Sequence, residues 1–435
     1  MFTMDSSVVS KCAVSAAAAV ISAAVAAAVP EPCGVPELLS AFDGRAVADR
    51  ATWEGVRRPE LMDRFLDCMY GRLPPSAENP EVSFAPEGPD AVMMDGKAVR
   101  KRVRIHYRGP YGAGSFVALA FIPVSARPVP AFLLICNRKP SENLDPTRER
   151  KSGFWPAEEI VERGYAAVAF FNGDVAPETY NPATAFLSGV FPCYERPQDR
   201  TDTSWGTLRA WAWGASRVMD WICDEPLLDA KRVAVVGHSR GGKTSLLAGA
   251  TDSRFAMTCV NCSGCGGAKL AHVDLPDSEY YAIFLASRVT YWFCGAFQRH
   301  CMNHDRRIEK IDAWASRWPH VAAGMDFDQH ELAALVAPRL LAIASATEDH
   351  GAGPVGEFHT ARLASPAWGL YGLEGLRAAE FPKPMAPSLG GCVCYHLREG
   401  KHDLTPYDWG VYMDFADLHG WRAESDGRQD ARRLK

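Results

Sequence analysis

The sequence predicts an α/β protein: a mostly parallel central sheet with helices on both faces, a three-layer sandwich, carrying a helical N-terminal extension. Three observations predict it. Apolar runs of strand length occur at 131–136, 165–171 and, interrupted only by Ser345, 340–346, as strands buried on both faces require. Stretches with helical spacing separate them, so strand and helix alternate along the chain. No internal repeat, low-complexity tract or Pro-rich linker follows residue 35, which argues for one catalytic domain over 36–435.

In chain order, 36–75 reads as helical. Leu61, Met62, Phe65, Leu66 and Met69 recur at helical spacing, and Pro74 and Pro75 end the pattern. Strands follow at 99–107, 116–122 and 131–136. The first alternates, with Val103 and Ile105 on one face and Arg102, Arg104 and His106 on the other. A helix at 157–163 closes at Gly164 and leads into the buried strand 165–171. The helix at 208–222 places Trp211, Ala215, Val218 and Ile222 on one face. A strand at 232–237 runs into a Gly-rich turn and a helix from about Gly242. Further strands are expected at 256–261, 340–346 and 392–397, and a closing helix at 409–418.

Composition narrows the function. The chain has 435 residues, 47% hydrophobic and 23% charged, an ordinary globular balance that excludes a wholly disordered, collagenous or coiled-coil chain. The net charge of −5, without a long basic run, argues against nucleic acid as a partner. Twelve tryptophans offer flat faces for sugar rings, although most are expected in the core. Residues 13–29 are small and apolar, preceded by Lys11 and stopped by Pro30, Glu31 and Pro32. They read as a signal peptide over 1–28, cut near Ala28, so the protein is expected to be exported, periplasmic or secreted, and free of the membrane after cleavage. Thirteen cysteines, one of them in the leader, leave an even number and suggest disulfides whose pairing the sequence does not assign.

The sharpest chemical signal is Gly237-His-Ser239-Arg-Gly241, set between an apolar strand and a helix. This G-x-S-x-G turn lifts the serine hydroxyl above the C-terminal edge of the sheet, and the backbone N–H of Arg240 then faces a developing oxyanion. Serine needs a base and an orienting acid, which follow in the order acid, then histidine. His402, in Glu399-Gly-Lys-His402-Asp-Leu after the last expected strand, is the candidate base. His396 is expected within that strand. Asp349, just beyond 340–346, is the favoured acid, and Glu348 competes with it.

Several motifs together resemble the glucuronoyl esterases, the fifteenth carbohydrate esterase family of the α/β-hydrolase superfamily. They are Gly237-His-Ser-Arg-Gly-Gly-Lys243, Asn261-Cys-Ser-Gly-Cys-Gly-Gly-Ala268, Asp328-Gln-His330, Ala337-Pro-Arg339, Ala344-Ser-Ala-Thr-Glu-Asp349 and Gly400-Lys-His-Asp403, and the likeness spans roughly 45–420. The resemblance implies cleavage of the ester between (4-O-methyl-)glucuronic acid of glucuronoxylan and lignin alcohols. It implies Ser239 as nucleophile, His402 as base, the Arg240 guanidinium in the oxyanion hole and Lys243 on a sugar hydroxyl. Three departures stand out. Some members carry the acid where this chain has Cys262, so the acid must be Asp349 or Glu348. Many bacterial members carry a sugar-stacking tryptophan where this chain has Gly351, and the acidic sugar ligand of fungal members has no match near Val289. Trp292, beside Phe293, is the candidate replacement stacking face.

No cofactor fingerprint is present, and no metal site is expected. Cys259-x-x-Cys262-x-x-Cys265 has ligand-like spacing, but position 269 is Lys and the first two cysteines run along a strand end. A monomer acting on glucuronoxylan or lignin–carbohydrate esters is the first reading. The alternatives are an acetylxylan or other carbohydrate esterase with the same triad, and a glycan-binding protein with a degraded site.

Overall fold

The computed structural model describes residues 30–273, 278–279, 289–299 and 325–422. Ten strands form one mixed sheet: β1 (Glu81–Pro86), β2 (Ala91–Met93), β3 (Ala98–Gly109), β4 (Gly112–Pro123), β5 (Val129–Cys136), β6 (Ala166–Phe171), β7 (Leu228–His238), β8 (Met257–Asn261), β9 (Leu340–Ala346) and β10 (Val393–Arg398). Their order is β1-β3-β4-β6-β5-β7-β8-β9-β10, with β2 paired to β3. The strands from β6 through β10 are mutually parallel, whereas β1 to β4 join by antiparallel pairing, β4 against β6.

Alternation along the central strands separates two cores. On β5, Ala131, Leu133 and Ile135 face one core, while Phe132, Leu134 and Cys136 face the other; on β7, Val233 and Val235 part from Ala234 and Val236 in the same way. The first face is covered by α3 (Thr207–Asp224) and α4 (Arg240–Thr251), through residues such as Trp211 and Leu246. The second is covered by α2 (Ala157–Glu162) and α7 (Pro406–Leu418), through Ile160 and Trp409. The three-layer arrangement expected from the sequence is therefore present. Among the described residues, no helix is long and apolar enough to cross a membrane.

Several expectations need correction. The helical reading of 36–75 is too long. Residues Ser40 and Ala46 form a bridge around Gly44 at φ +81, and Asp49 caps a helical run that begins at Arg50. That run extends to Tyr70 and contains α1 (Arg58–Phe65), with π turns at Trp53–Arg57 and Leu66–Tyr70 on either side. Strands β1 and β2 were not expected; they lie at the margin of the sheet and expose much of their surface, so they lack the apolar run that marks a central strand. Helices α5 (Gln329–Ala334) and α6 (Pro354–Ala364) were also not expected. Disulfides are not formed among the described cysteines. Cys136, Cys259 and Cys394 instead fill one core as small apolar groups, and Cys265 is likewise a free, buried thiol. The leader at 1–28 lies outside the described residues.

Candidate active site

Four neighbouring parallel strands deliver the site at their C-terminal ends: β7 leads to Ser239, β8 to Cys262, β9 to Asp349 and β10 to His402. In an open parallel sheet this edge is where ligands bind.

Ser239 sits between β7 and α4 at φ 58 and ψ −124, a backbone state that non-glycine residues rarely occupy. Its N–H donates to the Asn261 carbonyl at 2.9 Å, and its carbonyl accepts from Lys243 N–H at 3.0 Å. The flanking glycines are required by space. A Cβ on Gly237 would strike the Gly241 carbonyl, and one on Gly242 would come within 2.9 Å of the Asn261 carbonyl.

His402 Nδ1 lies 2.6 Å from Asp349 Oδ2. Asp349 is buried and His402 is 45% exposed, so the ring is open to a ligand while its partner is sheltered. Glu348 is exposed at the end of the strand; its N–H donates to the Gly400 carbonyl at 2.9 Å. The structure thus brings Asp349, not Glu348, to the imidazole. Arg398 holds the loop that carries His402. Its guanidinium donates to the carbonyls of Glu399 at 3.0 Å and of Lys401 and Asp403 at 2.6 Å each. Asp408 of α7 fixes Arg398 at 3.0 Å and takes His396 Nε2 at 2.8 Å. His396 lies in β10 as expected, fully buried and engaged in support.

The His238 ring lies beside that of His402, with centroids 4.4 Å apart and the planes tilted by 48°. Burial first, and the neighbouring His402 second, hold the His238 imidazole well below its usual pKa. It therefore stays neutral and adds no charge beside the His402–Asp349 pair.

Arg240 points its guanidinium at the Asn137 carbonyl, 2.8 Å away, and at Glu178 Oε2, 2.9 Å away. Burial pushes the Glu178 carboxyl up while Arg240 opposes that shift. Arg240 Nε is buried and meets no acceptor among the described residues. Lys243 is buried, its ammonium donating to the Ser263 carbonyl and lying 3.7 Å from Glu279 Oε2. Glu357, fully buried on α6, locks the loop behind Lys243. It accepts from Ser263 N–H at 2.7 Å, Ser263 Oγ at 2.8 Å, Gly264 N–H at 3.0 Å and Ser345 Oγ at 2.6 Å.

Cys262 occupies the strand end between Ser239 and Asp349. It adopts φ 42, is buried, and its N–H donates to the Ala344 carbonyl at 2.7 Å. Gly351 leaves room where a side chain would fit: a Cβ there would lie 4.0 Å from both Asp349 Oδ1 and Glu279 Cγ. Trp292 is half-buried, whereas the other described tryptophans are buried. The neighbouring Tyr291 hydroxyl accepts from Tyr180 N–H at 3.2 Å.

Sequence reasoning missed Glu178, Glu279, Asn137, Arg398 and Glu357. Glu178, Glu279 and Asn137 come from irregular loops, where no periodicity marks them. Glu357 acts through contacts remote in sequence, and Arg398 through carbonyls of the loop that follows its own strand, which no residue pattern marks. Glu279, the carboxylate 3.7 Å from Lys243, lies after β8 in the chain and before Val289.

A strained serine turn, an imidazole–carboxylate pair and an adjacent arginine, on the C-terminal edge of this sheet, define the class: a serine-type ester hydrolase of α/β-hydrolase architecture. The comparisons make the family specific. The sequence profile described as "Glucuronyl esterase, fungi" matches residues 156–372. Carbohydrate esterase MZ0003, from an unknown prokaryotic organism, is 34% identical over 415 residues, covering 88% of this chain and 89% of that protein. A 4-O-methyl-glucuronoyl methylesterase of Podospora anserina is 24% identical, over 76% of this chain and 59% of its own length. The solved glucuronoyl esterase from Solibacter usitatus superposes with a TM-score of 0.75 at 30% identity, over 90% of this chain and 99% of that one. The chain belongs to the glucuronoyl esterases, carbohydrate esterase family 15, and is a carboxylic-ester hydrolase.

Proposed function

We propose that the chain cleaves the ester joining (4-O-methyl-)glucuronic acid of glucuronoxylan to a lignin alcohol, with Ser239 as nucleophile, His402 as base and Asp349 as acid. The observation that carries this reading is the 2.6 Å pairing of His402 with Asp349 on the same C-terminal sheet edge as the Ser239 turn. Ser239 Oγ attacks the uronate carbonyl while His402 Nε2 accepts its proton. Asp349 holds the Nδ1–H tautomer and stabilises the imidazolium. The Arg240 N–H and guanidinium meet the tetrahedral oxyanion, and the guanidinium is already aimed by Asn137 and Glu178. The imidazolium then protonates the departing alcohol. Water, deprotonated by His402, releases the uronic acid by the reverse sequence of proton transfers.

Lys243 and Glu279 form a cation–carboxylate pair beside the serine turn, suited to gripping adjacent sugar hydroxyls. Trp292 supplies the stacking face that Gly351 does not. The protein acts as an exported monomer.

A panel of benzyl glucuronate and acetylated xylan tests the substrate. Cleavage of the uronate ester supports the reading; acetate release without it would sink the reading in favour of an acetylxylan esterase. Covalent labelling of Ser239 by a fluorophosphonate separates both enzymes from a glycan-binding protein, whose inert serine would not react.

A further inference from the structure

Cys262, Asp349 and His402 each offer one donor atom, and these three atoms lie within 4.8 Å of one another. The thiol is buried against the His402 loop, with Sγ 3.9 Å from the Asp403 carbonyl. Thiolate, imidazole and carboxylate are together a donor set that zinc and its softer congener cadmium accept. On a tetrahedral zinc, donors about 2.0–2.3 Å from the metal stand about 3.5 Å apart. The separations in place, 2.6 Å between Nδ1 and Oδ2 and none above 4.8 Å, bracket that spacing, and the exposed edge of His402 gives a path from solvent. This set shares only Cys262 with the Cys-x-x-Cys spacing weighed in the sequence.

We propose that Cys262, Asp349 and His402 form an inhibitory site for a thiophilic divalent cation, Zn²⁺ or Cd²⁺. The cation bonds Cys262 Sγ, an Asp349 carboxylate oxygen and His402 Nδ1. The thiol proton passes to solvent. The single proton of the neutral imidazole is left on Nε2, so the base has no lone pair for the Ser239 hydroxyl. Without metal the thiol takes no part: it is buried, and the contact found for it is the Asp403 carbonyl at 3.9 Å. The inference rests on the Asp349–His402 pairing and not on the identity of the ester.

The test titrates Cd²⁺ into the full chain in thiol-free buffer, reading the thiolate-to-cadmium ultraviolet band and benzyl glucuronate turnover together. The band and the loss of turnover should rise over the same concentrations, and EDTA should reverse both. Cys262→Ser should keep its turnover without metal, lose the band, and need at least about tenfold more Cd²⁺ for the same inhibition. A Cys33→Ser/Cys223→Ser variant, which removes two exposed thiols, should remain as sensitive as the parent. Should Cys262→Ser fail to fold, slower fluorophosphonate labelling of Ser239 in the parent chain with Cd²⁺, recovered with EDTA, reads the same event. Equal sensitivity of Cys262→Ser, or a cadmium band with undiminished labelling and turnover, overturns the proposal. If benzyl glucuronate is not a substrate, the band and the labelling still report on the metal site, so the two readings fail separately.

Discussion

Asp349→Asn is the most exposing perturbation of the proposed triad. The carboxylate lies 2.6 Å from His402 Nδ1 and is only 8% exposed, so water cannot replace it well. Two losses add. With charge centres about 4 Å apart and an effective dielectric of about 20, removing the negative charge costs the imidazolium about 4 kcal/mol. That is roughly a thousandfold in rate. The Asn amide can also present its N–H₂ to Nδ1, which selects the tautomer with Nε2 protonated and carries the loss toward about 10⁴. The expected result is kcat on benzyl glucuronate lower by about 10³–10⁴, with KM and melting temperature close to the parent. Exposed Glu348→Gln should remain near full activity. Adding Cys262→Glu to Asp349→Asn should recover part of the loss, because position 262 offers a donor atom within 4.8 Å of the imidazole. An Asp349→Asn enzyme within about tenfold of the parent, a deficit too small for either effect, would refute the reasoning. Loss of activity in Glu348→Gln alone would show that the wrong carboxylate has been named.

Three further outcomes are expected. Arg240→Lys keeps the charge but loses the fork that bonds Asn137 and Glu178, so kcat should fall about 10²-fold with little change in KM, measured by steady-state kinetics. Gly351→Trp places an indole where a Cβ meets nothing nearer than 4.0 Å; it should lower KM for a glucuronate ester by about two- to tenfold, and an unchanged KM would mean that the sugar face is already covered. Burial pushes the Glu357 carboxyl up from 4.5 to about 7, with the Ser345, Gly264 and Ser263 bonds opposing. A raised pKa contributes stability that is present below about 4.5 and lost as pH rises through about 7, about 3 kcal/mol in all. Calorimetry should therefore show melting temperature falling from about pH 5 to 8 in the parent and falling less in Glu357→Gln. Some slope should remain because burial also pushes Glu331 up to about 8.

What the sequence made legible follows the physics of burial. Strand β5, the second half of β7 and β9 are covered on both faces, so their residues are almost all apolar and their positions are readable to within a few residues. The serine turn is readable because steric demands fix glycines on both sides of it. Strand β1 alternates between exposed and half-buried positions, with Val82 and Phe84 as its inward residues, and that is too weak a signal to separate from a loop. The run from Arg50 to Tyr70 shows apolar spacing that announces a helix but not where it begins. Its start is set by the Asp49 cap and the Gly44 turn, which are local polar features. In the site, Ser239, Asp349 and His402 could be placed because each follows a recognisable strand. Glu279 could not, because its contact with Lys243 depends on the path of an irregular loop.

Asp408 closes the N-terminus of α7 by accepting from Thr405 N–H and Oγ1, each at 2.8 Å, while it anchors both His396 and Arg398. Arg398 in turn holds the carbonyls on either side of His402. The nucleophile therefore belongs to the middle of the sheet, and its base is wired to the last described helix. These two regions need not come apart at the same temperature. Undocking of α7 disconnects the base while the serine turn on β7 persists, so heat inactivation should run ahead of global melting. A newly synthesised chain meets the same condition in reverse: it gains catalytic competence only once α7 has seated, and its first turnover reports that folding is complete.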